Sequence, residues 1–272
     1  MGKKIFSRNV NGFVLLLLCA AGALGQDLRT IASPNGQVEF RVFVAPPAPG
    51  ELDRLAYQVW YRGKPLLDTS FLGLEIRNQL PLGGKVGLIG AHTSSGERYR
   101  SLTAEYMQNG SLGRLINLEV RTYDNGVAFR YVIPRSTPLE QIEIENEDTE
   151  FRFTEDVRDW PSLLPSFEAK AEAPGAMKLS QIPQASLIAL PFIAEHPAVG
   201  WVAIAEARTA QYPAMLLNHS AGTTLIASLP PLVTGGTVAF QGATPLTGPW
   251  RVVLFGPTRE SVTNSTVLRS LQ

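Results

Sequence analysis

LINLEVRTYDNGVAFRYVI, residues 115–133, is the stretch on which the fold turns. Leu115 to Val120 and Val127 to Ile133 each alternate apolar with polar or smaller residues, the period of a half-buried strand. Between them stands Tyr123-Asp124-Asn125-Gly126, and Asn-Gly between alternating apolar runs is among the strongest short-range hairpin signals. Residues 115–133 therefore read as two antiparallel strands. Upstream, Val38, Phe40, Val42 and Val44 alternate with Gln37, Glu39, Arg41 and Phe43 after the turn Ser33-Pro34-Asn35-Gly36. Leu55–Tyr61 and Phe71–Ile76 continue the pattern around the turn Arg62-Gly63-Lys64-Pro65. Further strands are expected at 142–144, 150–153, 186–191, 200–206, 215–217, 224–229 and 251–255. Only Ser261–Leu271 carries a mixed helix-or-coil pattern.

About a dozen short strands with one apolar face each must bury that face on a second layer. The expected fold is all-β, a large antiparallel two-sheet sandwich. The 272 residues carry 24 basic and 24 acidic side chains, so the chain lacks the positive field of a general nucleic-acid binder. Its one cysteine, Cys19, excludes a disulfide scaffold and any multi-cysteine metal site. Residues 1–25 read as a signal peptide: basic Lys3, Lys4 and Arg8, an apolar stretch from Phe13 to Leu24, and small residues before Gly25. The apolar stretch is short for a membrane span, so no stable anchor is expected, and lipidation at Cys19 is disfavoured by Leu18 before it. Cleavage after Gly25 removes three positive charges and no acidic residue, taking the net charge from 0 to −3. A secreted or periplasmic product is expected.

Motifs for nucleotide binding, serine hydrolysis and zinc proteolysis are absent from the sequence. His92, His196 and His219 are far apart and read as surface or turn residues. The acidic run Glu140–Asp148 offers hard oxygen ligands for calcium, but Glu143 and Glu145 alternate with Ile142 and Ile144 as the solvated face of a strand does. Asp159-Trp160-Pro161, running through Phe167-Glu168, joins aromatic rings to a carboxylate. Sugar sites use both, so Trp160 and Glu168 are candidate substrate-binding residues; the same residues would also suit a plug at a sandwich edge. Glu206 closes the apolar strand 200–206, and Arg208 beside it offers a surface ion pair.

The ordered set SPNG (33–36), YQVWYRGKPLL (57–67), LGLE (72–75), YDNGVAFRY (123–131), 151–160, IAEA (204–207) and TGPWR (247–251) resembles the N-terminal domain of family 97 glycoside hydrolases. The resemblance implies a β-supersandwich of galactose mutarotase-like fold over residues 26–263. Residues 264–272 would begin the linker toward a catalytic (β/α)8 barrel that this chain does not include. It implies an exported bacterial module of a calcium-dependent α-glucosidase or α-galactosidase, associated with carbohydrate. Glu206 matches the glutamate that the domain lends to the calcium site, with Ala205 where relatives more often carry histidine. Both catalytic carboxyls belong to the barrel in that family, so the isolated chain is expected not to hydrolyse glycosides. Two alternatives stand beside this reading: a mutarotase-like enzyme using histidine and glutamate as acid and base, and a structural module paired with a separately encoded barrel.

Overall fold

A computed structural model describes residues 26–110, 113–135, 139–207 and 211–271. Residues 1–25, where a leader is expected, with Cys19 among them, and Arg208 lie outside the described residues. Every strand pair is antiparallel, and the strands form four sheets. The largest has ten strands. Its main path runs Met177–Lys178, Arg158–Asp159, Phe192–His196, Gly200–Ala207, Trp250–Gly256, Gly126–Ile133, Leu115–Tyr123, Arg100–Gln108 and Val86–Ser95, with Leu246–Thr247 pairing onto Gly126–Ile133.

Three shorter sheets close the opposite side of the core. Gln26–Ala32, Val38–Ala45, Arg54–Tyr61 and Lys64–Phe71 form a meander. Phe240–Ala243, Gln141–Glu147 and Leu74–Ile76 form the second, and five strands including Glu150–Arg152 and Leu216–Ala221 form the third. The antiparallel sandwich expectation holds, with one layer a single sheet and the other divided among three. A single apolar cluster joins all four sheets. At its centre Phe40 stacks on Tyr57 at 5.2 Å, and Phe129 meets both from the ten-stranded sheet. Such packed rings contribute about 0.5–1.5 kcal/mol per pair beyond the area they bury.

The hairpin at 115–133 forms as read, but Gly126 serves another purpose. Tyr123 pairs with Gly126, so the turn residues are Asp124 and Asn125 and the glycine is already in the strand. A Cβ there would sit 2.7 Å from the Val253 carbonyl oxygen; the glycine is required by the neighbouring strand's approach, not by the turn. Similarly, Phe71–Ile76 is not one strand. It divides at Leu72-Gly73, where a Cβ on Gly73 would meet the Leu82 carbonyl at 2.9 Å, and Lys64–Phe71 and Leu74–Ile76 join different sheets.

Two helices of five residues, Arg259–Thr263 and Thr266–Ser270, resolve the mixed pattern near the C-terminus. Thr258 and Ser261 cap the first reciprocally, and Ser265 accepts from the Val267 N–H at the start of the second. Val262 and Val267 bury themselves against Ala203, Trp250, Val252 and Leu254, covering the outer face of the ten-stranded sheet. No helix among the described residues is long and apolar enough to cross a membrane.

Candidate functional site

Glu206 is the penultimate residue of Gly200–Ala207 and lies directly across from Arg251 in the next strand. The strand Trp250–Gly256 is buried from Trp250 to Phe255, so Arg251 has no contact with solvent. A buried guanidinium is tolerable only if its donors are satisfied and its charge is matched. Arg251 Nε donates to Glu147 Oε2 at 2.9 Å and Nη2 to Glu147 Oε1 at 2.6 Å, a two-pronged fork. Nη1 donates to Glu206 Oε2 at 2.7 Å, and the same oxygen accepts the Met215 N–H at 3.2 Å.

The network extends from Glu147. The Thr149 hydroxyl lies 3.3 Å from Glu147 Oε2 and 2.7 Å from the Tyr131 hydroxyl, which accepts the Gly73 N–H at 3.2 Å. Tyr212 also hydrogen-bonds Glu147. Burial would lower the affinity of Arg251 for its proton, but the Glu147 charge and hydrogen bond, with Tyr212 and Glu206 adding to them, outweigh it and hold the guanidinium above its ordinary range. Burial first, and then the Glu147 charge, raise Tyr131 and Tyr212, keeping both phenols neutral.

Glu206 lies near the end of its strand, as read from the sequence, and among the described residues its carboxylate pairs with Arg251, 45 positions away. Glu147 departs from the solvated-face reading of its acidic run. Glu143 and Glu145 do face outward, toward Arg77 and Thr237. A bulge between Ile144 and Asn146 then resets the alternation and turns Glu147 inward, where it is 1% exposed. The signals for this cluster were a lone arginine inside Trp250–Phe255 and the last glutamate of the run.

Calcium takes six to eight oxygens. Among the described residues no three His, Cys, Asp or Glu side chains converge on a common point. One oxygen of Glu206 is committed to a guanidinium and a backbone N–H, and the Arg251 cation opposes a dication beside it. The described residues therefore do not by themselves fit calcium.

The second sequence candidate, Trp160, follows the short strand Arg158–Asp159, one strand in from the far edge of the same sheet. It is 41% exposed and stacks on Trp201, ring centroids 5.7 Å apart and planes within 18°. Glu168 sits exposed in a separate turn, and no hydrogen bond or ion pair among the described residues ties it to either ring. Trp201, not Glu168, is the partner the fold gives Trp160. Asp159 between them and the core is buried, with Oδ2 unpartnered. Burial pushes its carboxyl up to about 7, partly offset by the Trp160 and Ile193 N–H groups and by Arg259.

The histidine expectation needs correction. His92 is exposed, but His196 and His219 are each 2% exposed, one closing a strand with Nδ1 accepting the Ala198 N–H, the other within Leu216–Ala221. Burial lowers His196 below the usual imidazole range, with Glu155 opposing the shift.

A four-sheet antiparallel sandwich with a buried Glu–Arg–Glu network and an exposed tryptophan stack defines a β-supersandwich domain. The chain belongs to the family described as Glycosyl-hydrolase 97 N-terminal, whose model matches residues 31–272. Among curated relatives, a retaining alpha-galactosidase from Bacteroides thetaiotaomicron is 23% identical over 235 residues, covering 79% of this chain and 34% of the relative. Among solved structures, a Glycoside Hydrolase Family 97 enzyme in complex with acarbose, from Pseudoalteromonas sp. strain K8, superposes with a TM-score of 0.76 at 22% identity. That match covers 90% of this chain and 38% of the enzyme. A beta-arabinopyranosidase gives 0.70 at 22% identity, covering 86% of this chain and 40% of its own. The structural likenesses bear on the fold, and the chain spans little more than a third of the relatives it matches.

Proposed function

We propose that this domain is the N-terminal, carbohydrate-associated module of an exported family 97 α-glycosidase, working beside a catalytic barrel on the same or a separate polypeptide. The observation that carries the reading is the family match over residues 31–272 against relatives that are more than twice as long and are named as glycosidases. Export follows from the leader read in residues 1–25. Chemistry within the domain points the same way. Glycoside hydrolysis needs two carboxyls about 5–10 Å apart across the scissile bond, whereas Glu147 and Glu206 are both held by one guanidinium.

In this reading Glu206 serves calcium only when a barrel supplies the remaining oxygens, and Arg251 and the Met215 N–H fix the orientation of its carboxylate. Calorimetric titration of calcium into the domain reconstituted with a family 97 barrel tests it, wild type against Glu206→Gln. Tight binding that weakens at least about tenfold in the variant is expected, because a hard cation requires the charge that the amide lacks. Equal affinities would overturn the role. The domain alone is expected to release no nitrophenol from α-glucosides or α-galactosides and to leave anomer interconversion, followed by polarimetry, at its uncatalysed rate. Turnover abolished by a single substitution in this chain would refute the module reading.

A further inference from the structure

The outer surface of the ten-stranded sheet carries a second gathering of arginines, a carboxylate and aromatic rings. Arg158 is in register with Glu195, and Glu195 with Trp201, across three adjacent strands. Strands in a sheet are about 4.8 Å apart, so this row spans about 10 Å on one face. The alternate row, Asp159, Ala194 and Val202, points into the core. Trp160 stands two residues beyond Arg158 and lies on Trp201. The Arg158 guanidinium is 5.6 Å from the Trp160 ring centre, and that of Arg259, the first residue of helix Arg259–Thr263, is 5.9 Å from Trp201.

These polar groups differ from most others on the protein in being uncommitted. The side chains of Arg158, Glu195 and Arg259 form no hydrogen bond or ion pair with described residues. Trp201, by contrast, is fixed from below, because it packs on the cluster that holds both C-terminal helices to the sheet. Trp160 thus rests on a rigid base and is 41% exposed, an arrangement that spares a ligand the cost of ordering its platform.

We propose that Trp160, seated on Trp201 and flanked by Glu195, Arg158 and Arg259, is a binding site for a pyranose ring of a neutral oligosaccharide. The apolar C–H face of the sugar stacks on the indole, Glu195 accepts hydroxyl hydrogen bonds, and the two guanidinium groups donate them. Glu195, in register with Arg158, offsets part of the positive charge and adds an acceptor for the hydroxyls of a neutral sugar. The site rests on the carbohydrate reading given above and deepens it by placing the contact at Trp160 rather than at Glu168.

Titration of the isotope-labelled chain with panose, maltotriose, raffinose and galacturonate, followed through the indole N–H signals in two-dimensional NMR, tests the proposal. Saturable shifts are expected at Trp160 and Trp201 with at least one neutral sugar, at a Kd of about 1 mM, while Trp60 and Trp250 stay fixed. Trp160→Ala should weaken binding at least about tenfold, Trp160→Phe by less, and Glu195→Gln by about three- to tenfold. Saturable shifts confined to other residues would overturn this site and leave carbohydrate association standing. No shift anywhere up to 50-fold above that Kd, roughly 50 mM, would overturn both. Response to galacturonate alone, or only to an added family 97 barrel, would replace the neutral sugar with an anion or a protein contact and overturn the proposal.

Discussion

The two arginine-containing clusters of this domain use the same residue types to opposite ends. Around Arg251, two carboxylates from different sheets converge on a guanidinium with no solvent contact. Around Trp160, two arginines and Glu195 lie over or beside aromatic rings with their hydrogen-bonding capacity unspent. Burial makes the difference. In the core an unmatched charge costs several kcal/mol, and each nitrogen of Arg251 donates to a carboxylate; at the surface water satisfies the groups until a ligand displaces it.

That contrast is most sharply broken by Arg251→Ala, which removes the guanidinium that bridges Glu147 and Glu206. A loss of about 3–5 kcal/mol is expected, the usual result of removing one partner from a buried pair. It should appear as a fall of roughly 6–20 °C in the thermal midpoint. A fall under 2 °C, the least that about 1 kcal/mol produces in a domain this size, would mean that water reaches the cluster.

Asp159 comes next, because it is a buried acid with no cation in contact. Its folded pKa of about 7 stands above an unfolded value of about 3.9. Between those values the folded protein holds a proton that the unfolded chain has released, so its contribution is intact below about pH 4 and is lost as pH rises toward 7. Asp159→Asn, which keeps the shape and cannot ionise, should therefore stabilise the protein by roughly 2–4 kcal/mol at pH 8 and by nearly nothing at pH 4. Urea unfolding at the two pH values measures this directly, and His196, whose shift has the opposite sign, is common to both proteins and cancels. A stabilisation equal at both pH values would show that the Asp159 carboxyl does not titrate there.

Glu206→Gln should cost less, about 1–2 kcal/mol, since the amide oxygen can still accept from Arg251 and Met215. Trp160→Ala should change stability least, by about 0.5–1.5 kcal/mol for the lost ring pair with Trp201, because the ring sits outside the core. Denaturant midpoints for both check the order. A Trp160 variant that unfolds as readily as the Arg251 variant would make the stack structural.

The sheets of this protein were legible where the buried face of a strand carries large apolar residues. Leu115–Tyr123 alternates along its length and was read directly from its residues. The hairpin Val86–Ser95 with Arg100–Gln108 escaped notice, although each strand is among the longest in the molecule. Val86–Ser95 lies at the sheet edge with only Val86 buried, so it has no apolar face for a period to reveal. Its partner does alternate, through Leu102, Ala104, Tyr106 and Gln108, but alanine and glutamine dilute the signal. At the sites, Glu206 and Trp160 were visible as residues. Their partners Arg251 and Trp201 were not, since cross-strand register between distant segments is not written in local pattern.

The bulge at Ile144–Asn146 gives the ion network a role in choosing among folds. Slipping the strand Gln141–Glu147 by one residue would swing Glu147 into water and bring Asn146 beneath the arginine, while the backbone ladder could re-form almost unchanged. The slip would also carry Ile142 and Ile144 out of the core, and the bidentate contact with Arg251 adds a penalty of its own, because the misaligned state leaves a buried guanidinium without its main counterion. The network thus acts as a proofreading device for strand alignment: it adds little to the depth of the native state and much to the height of its nearest competitor.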